Sequence, residues 1–142
     1  MQTLQKRVFP GKLSSLAKIA CFVATAADAA GLDERAAYAV QVAVDEACSN
    51  IIEHAYGEQG SGDIECKYEV TDKSLVITLR DQGRPFDPTA VADPELDALL
   101  EERPLGGLGV YLMRQLMDSV EHDYEAGAGN VLTLTKHREA CS

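Results

Sequence analysis

An α+β fold, a two-layer sandwich with helices covering one face of a mixed sheet, is predicted by three features of this sequence. Helical periodicity fills most of residues 13–55. Strand-like alternation of period two then occurs in two separate pairs of segments. The two patterns are segregated along the chain rather than interleaved as in a repeated strand–helix–strand array.

Thr3 to Phe9 reads as an extended segment, ended by Pro10 and Gly11. From 13 to 30, Leu16, Ile19, Ala20, Val23 and Ala27 recur at helical spacing, and Gly31 has the place of a C-terminal cap. Asp33 offers an N-cap for a second helix over 34–55. Gly57 to Gly62 is a glycine-rich turn. Ile64, Cys66, Tyr68 and Val70 alternate with polar residues on a half-buried strand, and residues 71–74 turn the chain into Leu75, Ile77 and Leu79. Residues 81–106 carry four prolines and many acids. They read as a long loop with a short helix near 94–101, of the kind that is functional or mobile in a compact domain. A third helix spans 107–117. Val120, His122 and Tyr124 alternate on a further strand, and a turn at 127–130 leads to a last one over 131–135.

At 142 residues the chain fits one domain, 1–142 with a core of about 5–137. Hydrophobic residues make up 46% and charged residues 25%, as in a soluble globular protein. Thirteen Lys and Arg against 23 Asp and Glu give a formal charge of −10, which disfavours nucleic acid as a partner. A nucleotide remains admissible, because a local site with a divalent cation overrides the global field. No stretch approaches the roughly 20 apolar residues of a membrane helix, and the N-terminus lacks a signal-peptide pattern. The expected location is the cytoplasm. Cys21, Cys48, Cys66 and Cys141 lack metal-site spacing and read as reduced thiols, with Cys21 and Cys48 in the core and Cys141 exposed.

Three clusters carry chemistry. Glu46, Asn50 and His54 recur every four residues, so they share one face of the second helix beside the apolar stripe of Val40, Ala43, Ala47 and Ile51. From spacing alone this row serves equally as a solvated face or as a carboxylate and an amide oxygen serving a hydroxyl and a hard cation. Asp81 closes a strand, and Gly83 lets backbone approach a flat ligand; considered alone, an Asx turn accounts for the pair as well. Gly106, Gly107 and Gly109 open a helix whose free N–H groups suit an anion. They come too late in the chain for a dinucleotide fingerprint on a first strand.

Taken in this order, the three clusters resemble the GHKL, or Bergerat-fold, ATP-binding domains, and most closely the small anti-sigma-factor serine/threonine-protein kinases of bacteria. The likeness is greatest over Glu46 to Tyr56 and over Gly106 to Val120. It implies ATP and Mg²⁺ as cofactors. By this resemblance Asn50 coordinates Mg²⁺, and Glu46 is the general base for the attacking hydroxyl. Asp81 binds the adenine amino group, and Gly83 lines the adenine slot. Gly107 and Gly109 wrap the phosphates, Arg103 contacts a phosphate, and the loop 84–104 is a lid. His54 matches the family pattern and reads as a buried structural histidine. Relatives often carry Thr after the last turn glycine, where this chain has Asn130 and Val131, so one adenine-side contact is left unassigned. The implied partners are proteins, an anti-anti-sigma antagonist or a sigma factor, with a homodimer formed through the first strand. Two other readings stand beside kinase activity: a non-catalytic, nucleotide-gated module that sequesters a regulator, and an ATP hydrolase, for which no transducer domain is present.

Overall fold

The computed structural model describes residues 3–56, 62–83, 107–125, 127 and 129–138; the side chains of 54–56 and 107–110 lie outside the description. Strand β1 (Thr3–Pro10) leads through a short 3-10 turn (Leu13–Ser15) into α1 (Leu16–Ala29) and then α2 (Glu34–Asn50), which closes in a π-helical turn (Ile51–Tyr56). Strands β2 (Asp63–Val70) and β3 (Ser74–Asp81) form a hairpin. Helix α3 (Gly107–Leu116) precedes a second hairpin of β4 (Ser119–Glu125) and β5 (Gly129–His137).

The caps fall where the sequence signals put them. Leu32 N donates to Ala27 O at 3.1 Å and Gly31 N to Asp28 O at 3.0 Å, with Gly31 at φ +72°. This paired closure needs a left-handed residue just past the helix end. At the start of α2, the Asp33 carboxylate accepts from Ala36 N at 2.8 Å, satisfying one of the helix's orphan donors. The β2–β3 turn is stitched by Thr71, whose hydroxyl accepts from Ser74 N at 3.0 Å.

The five strands among the described residues lie in the order β1-β2-β3-β5-β4. Every described pairing is antiparallel, where the sequence reading had a mixed sheet. Both hairpins require antiparallel neighbours. The chain also returns reversed from the helices into β2 beside β1, and from β4 into β5 beside β3. The α+β sandwich itself is as expected. Ile64, Cys66, Tyr68 and Val70 point inward from β2, and Leu75, Ile77 and Leu79 from β3. They meet Ile19 and Val23 of α1, Val40, Val44 and Ala47 of α2, and Met113 of α3 in one core. Burial of this apolar face is the main stabilising term, at roughly 25 cal/mol per Å². Phe22 bridges Phe9 and Tyr68 with ring centroids 5.9 and 5.1 Å away, which ties α1 to the β1–β2 side. The outward residues of the central strands are only half covered, so the helices occupy one face.

Cys21 is exposed, not in the core. The buried stripe of α1 runs through Ile19, Val23, Ala26 and Ala27, and a residue two places past Ile19 is turned about 200° away from it. Cys48 is buried as expected, and so is Cys66. Cys141 and the segment 94–101 lie outside the described residues. No helix among the described residues is long and apolar enough to cross a membrane.

Candidate functional site

Helix α2 carries the first group of site residues because its inner stripe is anchored in the core. Asn50, its last residue, is 5% exposed, and its amide nitrogen is buried with no hydrogen-bond partner among the described residues. An unsatisfied buried amide costs about 1–3 kcal/mol, a cost consistent with a side chain reserved for something outside the chain. One turn earlier, Glu46 is half-buried. Its pKa is raised above the ordinary 4.5, first by burial and then by the neighbouring carboxylates of Asp45 and Glu53. A carboxylate so destabilised in its charged form is a better proton acceptor than a free one.

The Asn50 carboxamide oxygen is a ligand type that a hard cation such as Mg²⁺ accepts, and it stands one helical turn from the Glu46 carboxylate. Among the described residues no group of three His, Cys, Asp or Glu is placed to hold a metal unaided.

The second group lies at the end of the central strands. Asp81, the last residue of β3, is 3% exposed. Its Oδ1 accepts from Gly83 N at 2.9 Å and from Asn130 Nδ2 at 2.9 Å. Asn130 is itself buried, and its Nδ2 also lies 3.5 Å from Gly83 O. On the other side, Asn130 Oδ1 meets His122 Nε2 at 3.0 Å. Burial raises the Asp81 pKa above the usual 3.8, while the bonds from Asn130 and Gly83 and the nearby His122 ring oppose that rise. The polar row is brought together by register: Asp81 pairs with Ile64 on one side and Asn130 on the other. Gly129 makes the approach possible. It sits at φ +85°, and a Cβ there would fall inside the van der Waals radius of the Asp81 carbonyl oxygen.

Gly107 opens α3 and Gly109 lies in its first turn, so their N–H groups belong to a helix start as the sequence implied. Arg103, the loop 84–104 and the His54 side chain lie outside the described residues. Sequence reasoning did not connect Asn130 and His122 with Asp81. One signal was present for each. Asn130 stands where relatives often have Thr, and His122 shares a strand face with the apolar Val120.

A family model, the histidine kinase-like ATPase domain, matches residues 9–136. The chain belongs to that family. Relatives of this histidine kinase-like ATPase domain include the serine-protein kinase RsbW of Bacillus velezensis, 32% identical over 106 residues that cover 69% of this chain and 62% of the relative. RsbW of Halalkalibacterium halodurans is 34% identical, covering 68% and 60%. RsbW of Listeria innocua serovar 6a is 31% identical over 111 residues, covering 75% and 71%. The chain thus spans about three-fifths of the length of the first of these relatives, and its histidine kinase-like ATPase domain is similar to that of these serine-protein kinases.

Proposed function

We propose that this domain binds Mg²⁺-ATP and transfers the terminal phosphoryl group to a serine or threonine hydroxyl of a partner regulator protein, as an anti-sigma-factor-type kinase. The partner is an antagonist of the anti-anti-sigma kind, and a sigma factor is the regulator held in check. The observation that carries this reading is the pairing of two prepared polar sites on one family frame: the orphaned Asn50 amide above a proton-avid Glu46, and the buried Asp81 with its donors.

In this reading Asp81 accepts from the exocyclic amine of adenine, and Gly83 leaves room for the base. Backbone N–H groups near Gly107 and Gly109, with Arg103, meet the phosphates. Asn50 would hold Mg²⁺, which neutralises charge on the phosphoryl oxygens. Glu46 takes the proton of the attacking hydroxyl as the new O–P bond forms and ADP leaves. Its raised pKa supports that role.

Two variants separate binding from transfer. Glu46→Gln keeps the helix and the shape but cannot take the proton, so Mg²⁺-ATP still raises the melting temperature. Labelling of a co-purified partner from γ-labelled ATP falls by about 10²–10⁴-fold. Asn50→Ala loses both the thermal shift and the labelling. A native chain that binds ATP but labels no partner is instead a non-catalytic, nucleotide-gated module.

A further inference from the structure

We propose that His122 and Asn130 form a positioning relay that orients the free oxygen of Asp81 towards the exocyclic amine of the bound base, and so help to set base selectivity. The inference rests on Asp81 as the adenine-binding carboxylate and deepens that reading. Nucleotide contact is assigned to neither residue; both act through Asp81.

The polarity of the chain of bonds follows from its members. An ionised carboxylate only accepts, so the Asn130 group 2.9 Å from Asp81 Oδ1 is the amide NH₂. The amide oxygen then faces His122 Nε2 at 3.0 Å, which makes Nε2 a donor. His122 Nε2–H thereby reinforces the orientation that the Asp81 carboxylate favours for Asn130. Reversed, the amide would set its oxygen against the Asp81 carboxylate, two acceptors face to face. With Gly83 N also on Oδ1 at 2.9 Å, both donors engage the same carboxylate oxygen. The relay assigns the other oxygen, Oδ2, to the outside amine. Burial strengthens the directional effect at the Asn130–Asp81 bond, where water is excluded; the His122–Asn130 bond is part-buried.

The register makes the link non-local. His122 stands opposite Leu132 on the edge strand β4, and Asn130 stands opposite Tyr124, so the bond from His122 crosses the ladder diagonally. Asn130 then joins that edge to the end of β3, 49 residues earlier in the chain.

The test compares ATP with purine riboside triphosphate, which lacks the 6-amino group, by direct binding to the full chain. Native protein should prefer ATP. His122→Leu keeps bulk but removes the donor, and should reduce that preference by about 3- to 10-fold, the worth of one hydrogen bond, while leaving the affinity for purine riboside triphosphate nearly unchanged. His122→Gln should restore the preference, since its amide nitrogen can replace Nε2; His122→Asn, too short to do so, should not. Asn130→Ser cannot span both partners and is expected to match His122→Leu, which carries the test if the leucine variant fails to fold. A preference for ATP that survives intact in His122→Leu or in Asn130→Ser overturns the relay alone, as does an equal loss of both nucleotides. Equal binding of the two nucleotides by the native chain overturns the Asp81 reading and the relay with it.

Discussion

In the proposed site, Asp81 carries opposing demands for binding and for stability. Burial raises its pKa in the folded chain, so the native state holds the proton more tightly than the unfolded state does. A carboxyl shifted in this direction contributes stability that is full below its unfolded pKa, ordinarily 3.8, and is lost as pH rises through the folded value. At neutral pH the ionised group is therefore a net cost to the empty fold. Asp81→Asn removes the charge while keeping an oxygen for Asn130 and Gly83, so the melting temperature without nucleotide should rise at pH 7. The difference should shrink as pH falls towards 4, about the unfolded pKa of an aspartate. The same variant puts an NH₂ where the base amine needs an acceptor, so the ATP-induced shift, about 2.7 kcal/mol at a hundredfold excess over Kd, should vanish. Melting curves with and without Mg²⁺-ATP across pH check both halves. A lower melting temperature for the empty variant at pH 7 contradicts the argument.

Two glycines in left-handed conformations separate fold from site among the elements. Gly31 ends α1 with nothing within 4 Å of the place a Cβ would take. Gly31→Ala should then cost only the conformational penalty, about 1–2 kcal/mol, with the ATP shift unchanged. Gly129 bears the same penalty and also lies against the Asp81 backbone. Gly129→Ala should lose more stability and, by forcing β5 away from the end of β3, should also lose the ATP shift. Denaturant titration and nucleotide-induced melting shifts on the pair measure the contrast; equal behaviour would show that the β3–β5 contact at Asp81 is not part of the site.

At the scale of the whole molecule, the sheet order leaves β1 and β4 as edges among the described residues. On β1, Leu4 is 58% exposed and Val8 53%, both on the sheet face opposite the helices. An edge strand with uncovered apolar residues is an association surface, and we expect a homodimer through β1. Light scattering at micromolar concentration should report twice the chain mass of 15.3 kDa. Val8→Lys should shift it to one chain with nucleotide binding retained. A monomeric native chain contradicts this.

Much of this was legible in the sequence because its causes are local. Asp33 caps α2 and Gly31 closes α1 through bonds spanning three to five residues. Alternation in β2 and β3 names the buried face directly, and the spacing of Glu46 and Asn50 on one helix fixes their neighbourhood. Cys21 was misplaced because an apolar composition does not say which side of a helix faces the core; only the packed stripe of Ile19 and Val23 does. Strand direction was likewise beyond reach at β1 and β5, whose partners are set by how the helices return the chain to the sheet. The polar network at Asp81 is the clearest case. The sequence by itself supplied the carboxylate, the glycine beside it and an unexplained asparagine. The tertiary structure decided that Asn130 and His122 meet that carboxylate, because register across three strands joins residues no local pattern connects.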